Sequence, residues 1–184
     1  LEKAELERKR TEETLRRSQA MLARTERISH VGSWEWEIAT DTVTWSEELF
    51  RIFQLDPEER VSSWAEHSAL YHPEDMTLLR QAVEAAVSDG TSYELEIRAF
   101  RKDGETLVCL ARGFAEIAFD GRAERLFGSL QDITEHKRSV DELLRSNEKY
   151  RELAENLNDV LYAVDADGTI TYVSPPVKSV FGYT

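Results

Sequence analysis

Cysteine is nearly absent from this sequence: Cys109 is the single thiol among 184 residues. One thiol cannot form an intrachain disulfide or a zinc site built from several cysteines, and it suits a reducing compartment. We therefore predict a cytoplasmic location and no metal site. No apolar run approaches the roughly 20 residues of a membrane span, and the segment Leu1 to Arg27 is too charged for a signal peptide.

Positive charge is also scarce. The chain has 23 Lys and Arg residues against 36 Asp and Glu residues, a formal net charge of −13. Nucleic-acid backbones and anionic membranes select basic surfaces, so neither is expected as a main partner. Catalytic motifs are missing too: there is no phosphate-binding glycine loop, no HExxH pair and no persuasive Ser, His and Asp set. We predict no catalytic site in this sequence and place the output domain beyond Thr184 in a longer parent chain.

Glycine and proline are absent from residues 1–29, which are rich in Glu, Arg, Leu and Ala and predict one helix. Leu1, Arg8, Leu15 and Leu22 recur every seven residues, which is a weak heptad pattern. Two interpretations stay open for this helix. It either packs as an amphipathic helix on its own domain or forms a dimeric coiled coil.

Residues 30–134 show the alternation of strands broken by turn residues. Trp34 and Trp36 point to one face of a short strand, and Thr42 to Trp45 form the strand that returns from it. Three longer strands follow, separated by Asp-Gly turns, at 93–99, 106–118 and 123–133. Both alternating sets of the strand 106–118 are largely apolar, so we expect both of its faces to be covered.

Two helices are predicted between the hairpin and these longer strands. Ser46 is the expected N-cap of the first, because Glu47 and Glu48 follow it. His72 is the expected cap of the second, which ends at Asp89-Gly90.

The end of the sequence repeats its beginning. Residues 135–158 have apolar residues three and four apart and predict a linker helix. In residues 159–184, the run Thr169-Ile170-Thr171-Tyr172 echoes Thr42-Val43-Thr44-Trp45. We interpret this segment as the truncated start of a second domain in a tandem array.

Four short stretches of residues 30–134 carry a resemblance to a known family. They are Gly32-Ser33-Trp34-Glu35-Trp36, His72-Pro73-Glu74-Asp75, Glu96-Ile97-Arg98 leading to Lys102-Asp103-Gly104, and Gly128-Ser129-Leu130-Gln131-Asp132-Ile133-Thr134. In this order they resemble the PAS sensory domains, in particular the tryptophan-bearing branch that ends in a PAC motif and occurs in tandem in bacterial and archaeal sensor kinases.

The resemblance implies a fold and a signal-transfer site. The fold is α+β: a five-stranded antiparallel sheet with short helices on one face, flanked by an N-terminal and a C-terminal signalling helix. In this family the Asp-Ile-Thr exit, here Asp132, Ile133 and Thr134, passes conformational change to the signalling helix. Thr134 is expected to cap that helix, while Asp132 accepts backbone amides at the junction.

The resemblance also implies a function. We predict the sensory and dimerisation module of a cytoplasmic signal-transduction protein, with a sensor histidine kinase as the parent. The expected homodimer uses residues 1–29 and the apolar outer face of the sheet. Two alternatives are kept: a purely structural dimerising or spacer domain without a ligand, and the input module of a cyclic-dinucleotide enzyme.

A small-molecule ligand pocket is predicted from alternating aromatic residues, although such residues also fill cores. Its predicted members are Trp34, Trp36, Trp45, Tyr93, Ile97 and Phe114.

The cofactor stays unidentified. Haem is not expected, because haem-binding relatives place a His on the longer helix, whereas here His67 lies in a loop before it and His72 at its cap. Flavin photochemistry is not expected, because Cys109 lies in a strand rather than in a helix-borne motif. His136 precedes a further sensor repeat and is not predicted to accept phosphate.

Overall fold

Five antiparallel strands form a sheet in the order β2-β1-β5-β4-β3 in the computed structural model of the protein. The structure describes residues 2–59, 61–119, 121–156, 160 and 162–173. The strands of this sheet are β1 Val31–Glu37, β2 Thr42–Trp45, β3 Tyr93–Phe100, β4 Thr106–Ile117 and β5 Ala123–Asp132. They confirm the predicted α+β class and the five-stranded antiparallel sheet.

Three helices connect β2 to β3 along the chain. They are α2 Glu47–Phe53, α3 Trp64–Ser68 and α4 Met76–Asp89. The first begins at its predicted cap, because the Ser46 hydroxyl accepts a hydrogen bond from the Leu49 amide at 3.4 Å. The last ends at Gly90, whose φ of 77° is a left-handed conformation that glycine adopts without steric cost.

The core lies between these helices and the inner face of the sheet. In β4 every second residue from Leu107 to Gly113 is buried. Leu79, Val83 and Ala86 of α4 are buried from the helical side. Full burial of a Val or Leu side chain contributes about 1.5–3 kcal/mol relative to exposure, so this layer holds the helices on the sheet.

Loop backbone pairs with the C-terminal end of β3 at the outer edge of the sheet. The Phe100 amide donates to the Leu70 carbonyl at 2.7 Å, and the His72 amide donates to the Arg98 carbonyl at 2.8 Å. At the opposite edge of the sheet, the Val43 amide of β2 donates to the Ser62 carbonyl at 3.1 Å. These edge groups are therefore satisfied within the chain.

The prediction that His72 caps α4 is wrong. Asp75 accepts hydrogen bonds from the Arg98 amide at 2.8 Å and from its guanidinium at 2.8 and 3.0 Å. This attachment holds Pro73 to Asp75 in a turn, and the helix begins at Met76. The Arg98 hydrogen bonds hold the pKa of Asp75 at about 2, below its usual 3.8.

The outer face of the sheet is apolar at its centre and partly exposed. Phe114 of β4 and Phe127 of β5 stack with ring centroids 6.0 Å apart, and each is 45% exposed. Val108 and Leu110 on the same face of β4 are half-buried. Within the described residues this face stays partly exposed, and its cover by a partner copy stays a prediction.

Helix α1, Glu2–Ser29, precedes the sheet and is long and exposed. Every side chain from residue 4 to residue 25 is exposed, including Leu22. The helix is attached at its C-terminal end, where the Ser33 hydroxyl donates to the buried Glu26 carboxylate at 2.6 Å.

The chain divides into two compact units, Leu1–Thr134 and Glu135–Thr184. The second unit contains most of α5, Thr134–Asn156, and a hairpin of β6, Tyr162–Val164, and β7, Ile170–Val173. The end of the predicted helix at 157–158 and the segment 174–184 lie outside the described residues, and the proposed second domain stays a prediction. No described helix is long and apolar enough to cross a membrane.

Candidate functional site

One row of residues crosses the whole inner face of the sheet. Trp45 pairs with Trp34, Trp34 with Gly128, Gly128 with Gly113, and Gly113 with Tyr93. The row therefore runs from two indoles, over two glycines, to a phenol ring. Glycine in a strand interior marks a place where another group approaches closely, and here that group is an aromatic ring.

The two glycines make room for these rings. A Cβ on Gly128 would lie 2.7 Å from Cζ2 of Trp34 and would overlap the Arg112 carbonyl oxygen. A Cβ on Gly113 would overlap the ring of Tyr93. The interior at this point is thus occupied by the protein's own aromatic side chains.

A buried histidine joins this aromatic layer. His67 in α3 is only 3% exposed, and its Nδ1 accepts a hydrogen bond from Trp45 Nε1 at 3.1 Å. An indole N–H can only donate, so the imidazole proton is on Nε2. That nitrogen lies 3.1 Å from the Tyr71 hydroxyl and donates to it. Both ring nitrogens are satisfied by a neutral imidazole.

Burial controls the charge of His67. Removal from water lowers its pKa from 6.5 to about 4, because the protonated ring would be unsolvated. Protonation would also put a second donor opposite the Trp45 N–H. The same burial raises the pKa of Tyr71 well above its usual 10. Near neutral pH this hydrogen-bonded group is therefore uncharged.

The structure brings only part of the predicted pocket together. Trp34, Trp45 and Ile97 are buried in the core, and Tyr93 is half-buried beside them. Phe114 does not belong with them, because it is on the outer face of β4 and stacks on Phe127.

Trp36 lies on the inner face but outside the packed layer. Its ring stacks on Trp64 with centroids 5.3 Å apart, and both side chains are half-buried. This pair borders an open cleft between α3 and α4.

Sequence reasoning missed the part played by His67, which it placed in a loop. Trp64 and His67 have the helical spacing i, i+3, but Tyr71 lies beyond the end of α3, so the local pattern is too short to predict that His67 is buried. Cys109 is buried in β4 and burial raises its pKa to about 12, so it behaves as a small hydrophobic residue. Among the described residues, no three His, Cys, Asp or Glu side chains are grouped closely enough to hold a metal ion.

The strand-to-helix junction is tied by one hydroxyl. Thr134 Oγ1 accepts from the Val108 amide of β4 at 2.9 Å and donates to Asp132 Oδ1 at 2.6 Å. The same carboxylate oxygen accepts from the Thr134 amide at 2.9 Å, and the Ile133 amide donates to the Val108 carbonyl at 2.9 Å. Sequence reasoning expected Thr134 to cap the helix; its side chain is instead attached to the neighbouring strand.

Comparison with known proteins agrees with this architecture. A family model described as "PAS fold" matches residues 42–130. The chain is 23% identical over 180 residues to a probable diguanylate cyclase, DgcE, of Escherichia coli, covering 97% of this chain and 16% of the relative. It is 30% identical over 139 residues to a blue-light-activated histidine kinase of Brucella anthropi, covering 73% of this chain and 27% of the relative.

A solved structure gives the same result for the fold. The crystal structure of a sensory box histidine kinase/response regulator from Burkholderia thailandensis superposes with a TM-score of 0.57 at 25% identity. The match covers 69% of this chain and 95% of that chain. The chain spans about a sixth to a quarter of the length of the curated relatives above. The chain therefore carries a domain of the PAS family.

Proposed function

We propose that this domain is the sensory and dimerisation module of a signal-transduction protein. A change in the packing of the sheet is passed to α5 through Asp132, Ile133 and Thr134. The observation that carries the proposal is the bridge made by the Thr134 hydroxyl between Val108 and Asp132. A PAS sensory domain is itself non-catalytic, so the output activity belongs to another domain of the parent protein.

The physical argument rests on how firmly the junction is held. Both backbone polar groups of Val108 are bonded to the junction, its amide to Thr134 and its carbonyl to Ile133. Movement of β4 must therefore move the first residue of α5 or break these bonds. A buried hydrogen bond contributes about 0.5–1.5 kcal/mol net, so two of them resist small displacements.

The identity of the parent protein is proposed from the relatives of this chain. A sensor histidine kinase agrees with the Brucella anthropi and Burkholderia thailandensis proteins. A cyclic-dinucleotide enzyme agrees with the Escherichia coli relative, which matches nearly the whole chain. Cytoplasmic location and homodimer formation are part of the same proposal.

Thr134→Val tests the junction while keeping the shape of the side chain. It removes the hydroxyl and leaves the Val108 amide without its acceptor, so this amide should exchange with solvent faster than in the wild type. In the parent protein, Asp132→Ala combined with Thr134→Ala should reduce stimulus-dependent output to a constant level while the domain stays folded by circular dichroism. If the double variant switches as the wild type does, these side chains are ordinary structural ties.

A spacer domain is the second candidate, and one observation favours it. Trp34 and Tyr93 lie over Gly128 and Gly113 and occupy the interior where a ligand would otherwise be enclosed. A domain filled in this way can separate and dimerise its neighbours without binding anything. The spacer function would be supported if no stimulus changes the output of the parent protein through residues 30–134.

A further inference from the structure

An open cleft of about 560 Å³ lies between α3 and α4. It is separate from the buried layer of Trp34, Trp45 and His67. Its volume is within the roughly 300–1,000 Å³ range of small-molecule sites. The residues that line it include Trp36, Trp64, Arg80, Val83, Glu84 and Val87.

The indole pair in this cleft is held in place by one carboxylate. Asp41 Oδ1 accepts from Trp36 Nε1 at 2.8 Å and from the Trp64 backbone amide at 3.1 Å. The two rings stack at an interplanar angle of 27°. A pre-positioned pair of this kind loses little side-chain freedom when a planar molecule packs against it.

Two opposite charges border the same cleft. Arg80 and Glu84 lie one turn apart on α4, a spacing at which side chains can pair. Among the described residues, neither side chain makes a hydrogen bond or an ion pair, with the other or with a third group. By contrast, Arg98, Arg112 and Arg125 on the sheet each contact a carboxylate.

We propose that this cleft binds a small planar aromatic zwitterion, such as an aromatic α-amino acid. Trp36 and Trp64 contact its ring, Arg80 binds its carboxylate, and Glu84 binds its ammonium group. An aromatic acid alone would leave Glu84 near a negative charge, and an aromatic amine alone would leave Arg80 near a positive one. Only a ligand with both groups satisfies both side chains.

The cleft deepens the proposed function and rests on it only for the signalling step. The Trp64 ring lies 5.6 Å from that of His67, which is bonded to Trp45 and Tyr71. Trp36 belongs to β1, which pairs with β5, the strand that ends at Asp132. A ligand that moves the indole pair therefore acts on elements that lead to the junction.

Isothermal titration of the 184-residue chain with three probes tests the assignment. L-Tryptophan carries both charges, indole-3-acetate only the carboxylate, and tryptamine only the ammonium group. L-Tryptophan should bind most tightly. Arg80→Gln should weaken L-tryptophan by about tenfold or more, the effect of losing a hydrogen bond to a charged group, and should weaken indole-3-acetate similarly.

Glu84→Gln separates the two charged contacts. It should weaken L-tryptophan and tryptamine but leave indole-3-acetate unchanged or tighter. Arg16→Gln, which removes an exposed charge from α1, is the matched control and should change nothing. Circular dichroism shows that each variant is folded.

Two results would overturn the assignment. One is no measurable heat with L-tryptophan up to its solubility limit, and the other is binding that Arg80→Gln and Glu84→Gln leave unaltered. If the probes bind with the expected pattern but the Asp132→Ala, Thr134→Ala double variant still switches normally, the cleft is a binding site and the proposed signal transfer through the junction is wrong.

Discussion

Gly113 lies directly opposite Gly128 in the ladder between β4 and β5, and the next residue on each side of the pair is aromatic. Tyr93 and Trp34 lie over the two glycines where Cβ atoms would otherwise project. The packed interior therefore depends on two positions without side chains.

Alanine at either glycine should destabilise the domain, but by different amounts. In Gly128→Ala the new methyl group overlaps the Arg112 carbonyl, and backbone in the middle of a sheet cannot move aside. We expect a loss of about 3 kcal/mol or more in the free energy of unfolding. In Gly113→Ala it meets the Tyr93 ring, which can shift, so the loss should be about 1–3 kcal/mol.

Urea denaturation measures both effects. Ser129→Ala is the control. Ser129 lies in β5 beside Gly128, and its side chain makes no hydrogen bond among the described residues. If either glycine variant is as stable as this control, the sheet has room for a Cβ at that position and the prediction is wrong.

Acid should weaken the domain through His67. The pKa of His67 is about 4 in the folded state, below its ordinary value of 6.5. As the pH falls, the imidazole is therefore protonated first in the unfolded state. The neutral, buried His67 contributes fully to the free energy of unfolding above pH 6.5. This contribution, roughly 3 kcal/mol in all, is lost progressively as the pH falls to about 4.

His67→Gln should remove this dependence. An amide can accept from Trp45 and donate to Tyr71 but does not titrate in this range. The free energy of unfolding of the wild type and variant should therefore converge between pH 7 and pH 4. Parallel pH profiles would assign the acid sensitivity to other groups.

Deletion of residues 1–25 tests the proposed dimer. Helix α1 exposes Leu15 and Leu22 along with the other large apolar side chains Leu6, Met21 and Ile28. A second copy of the same helix would bury them in a coiled coil. Sedimentation should show a dimer for the whole chain and a monomer after deletion, whereas an unchanged dimer would move the interface to Phe114 and Phe127.

The hairpin of β6 and β7 should exchange its amide hydrogens quickly. All its strand side chains are exposed, and a two-stranded hairpin is marginally stable in water. Hydrogen exchange at 162–173 should be complete long before that of 93–132. Equal protection in a chain shown to be monomeric would mean that the hairpin is already packed.

Local patterns predicted the strands and turns well, because alternation and Asp-Gly pairs act within a few residues. They failed where distant contacts decide. The start of α4 is set by Asp75 binding Arg98, which is 23 residues away in sequence. The face of Phe114 was ambiguous because both alternating sets of β4 are apolar, and only the register with Phe127 resolves it.

The short helix α3 was missed for a different reason. Five residues are too few for a periodic signal, and its single buried polar side chain, His67, acquires its partners from β2 and from Tyr71. The Gly113 and Gly128 pair likewise becomes visible only when two strands are aligned.

The bonds between loop backbone and the outer strands matter for a parent that strings several such domains along one chain. Neighbouring copies in such a chain are at high local concentration. Unpaired edge strands can then pair between copies and cause aggregation. Phe100 and Arg98 on one border, and Val43 on the other, already have partners at Leu70, His72 and Ser62. These bonds leave fewer free backbone groups on the two borders for pairing with a neighbouring copy.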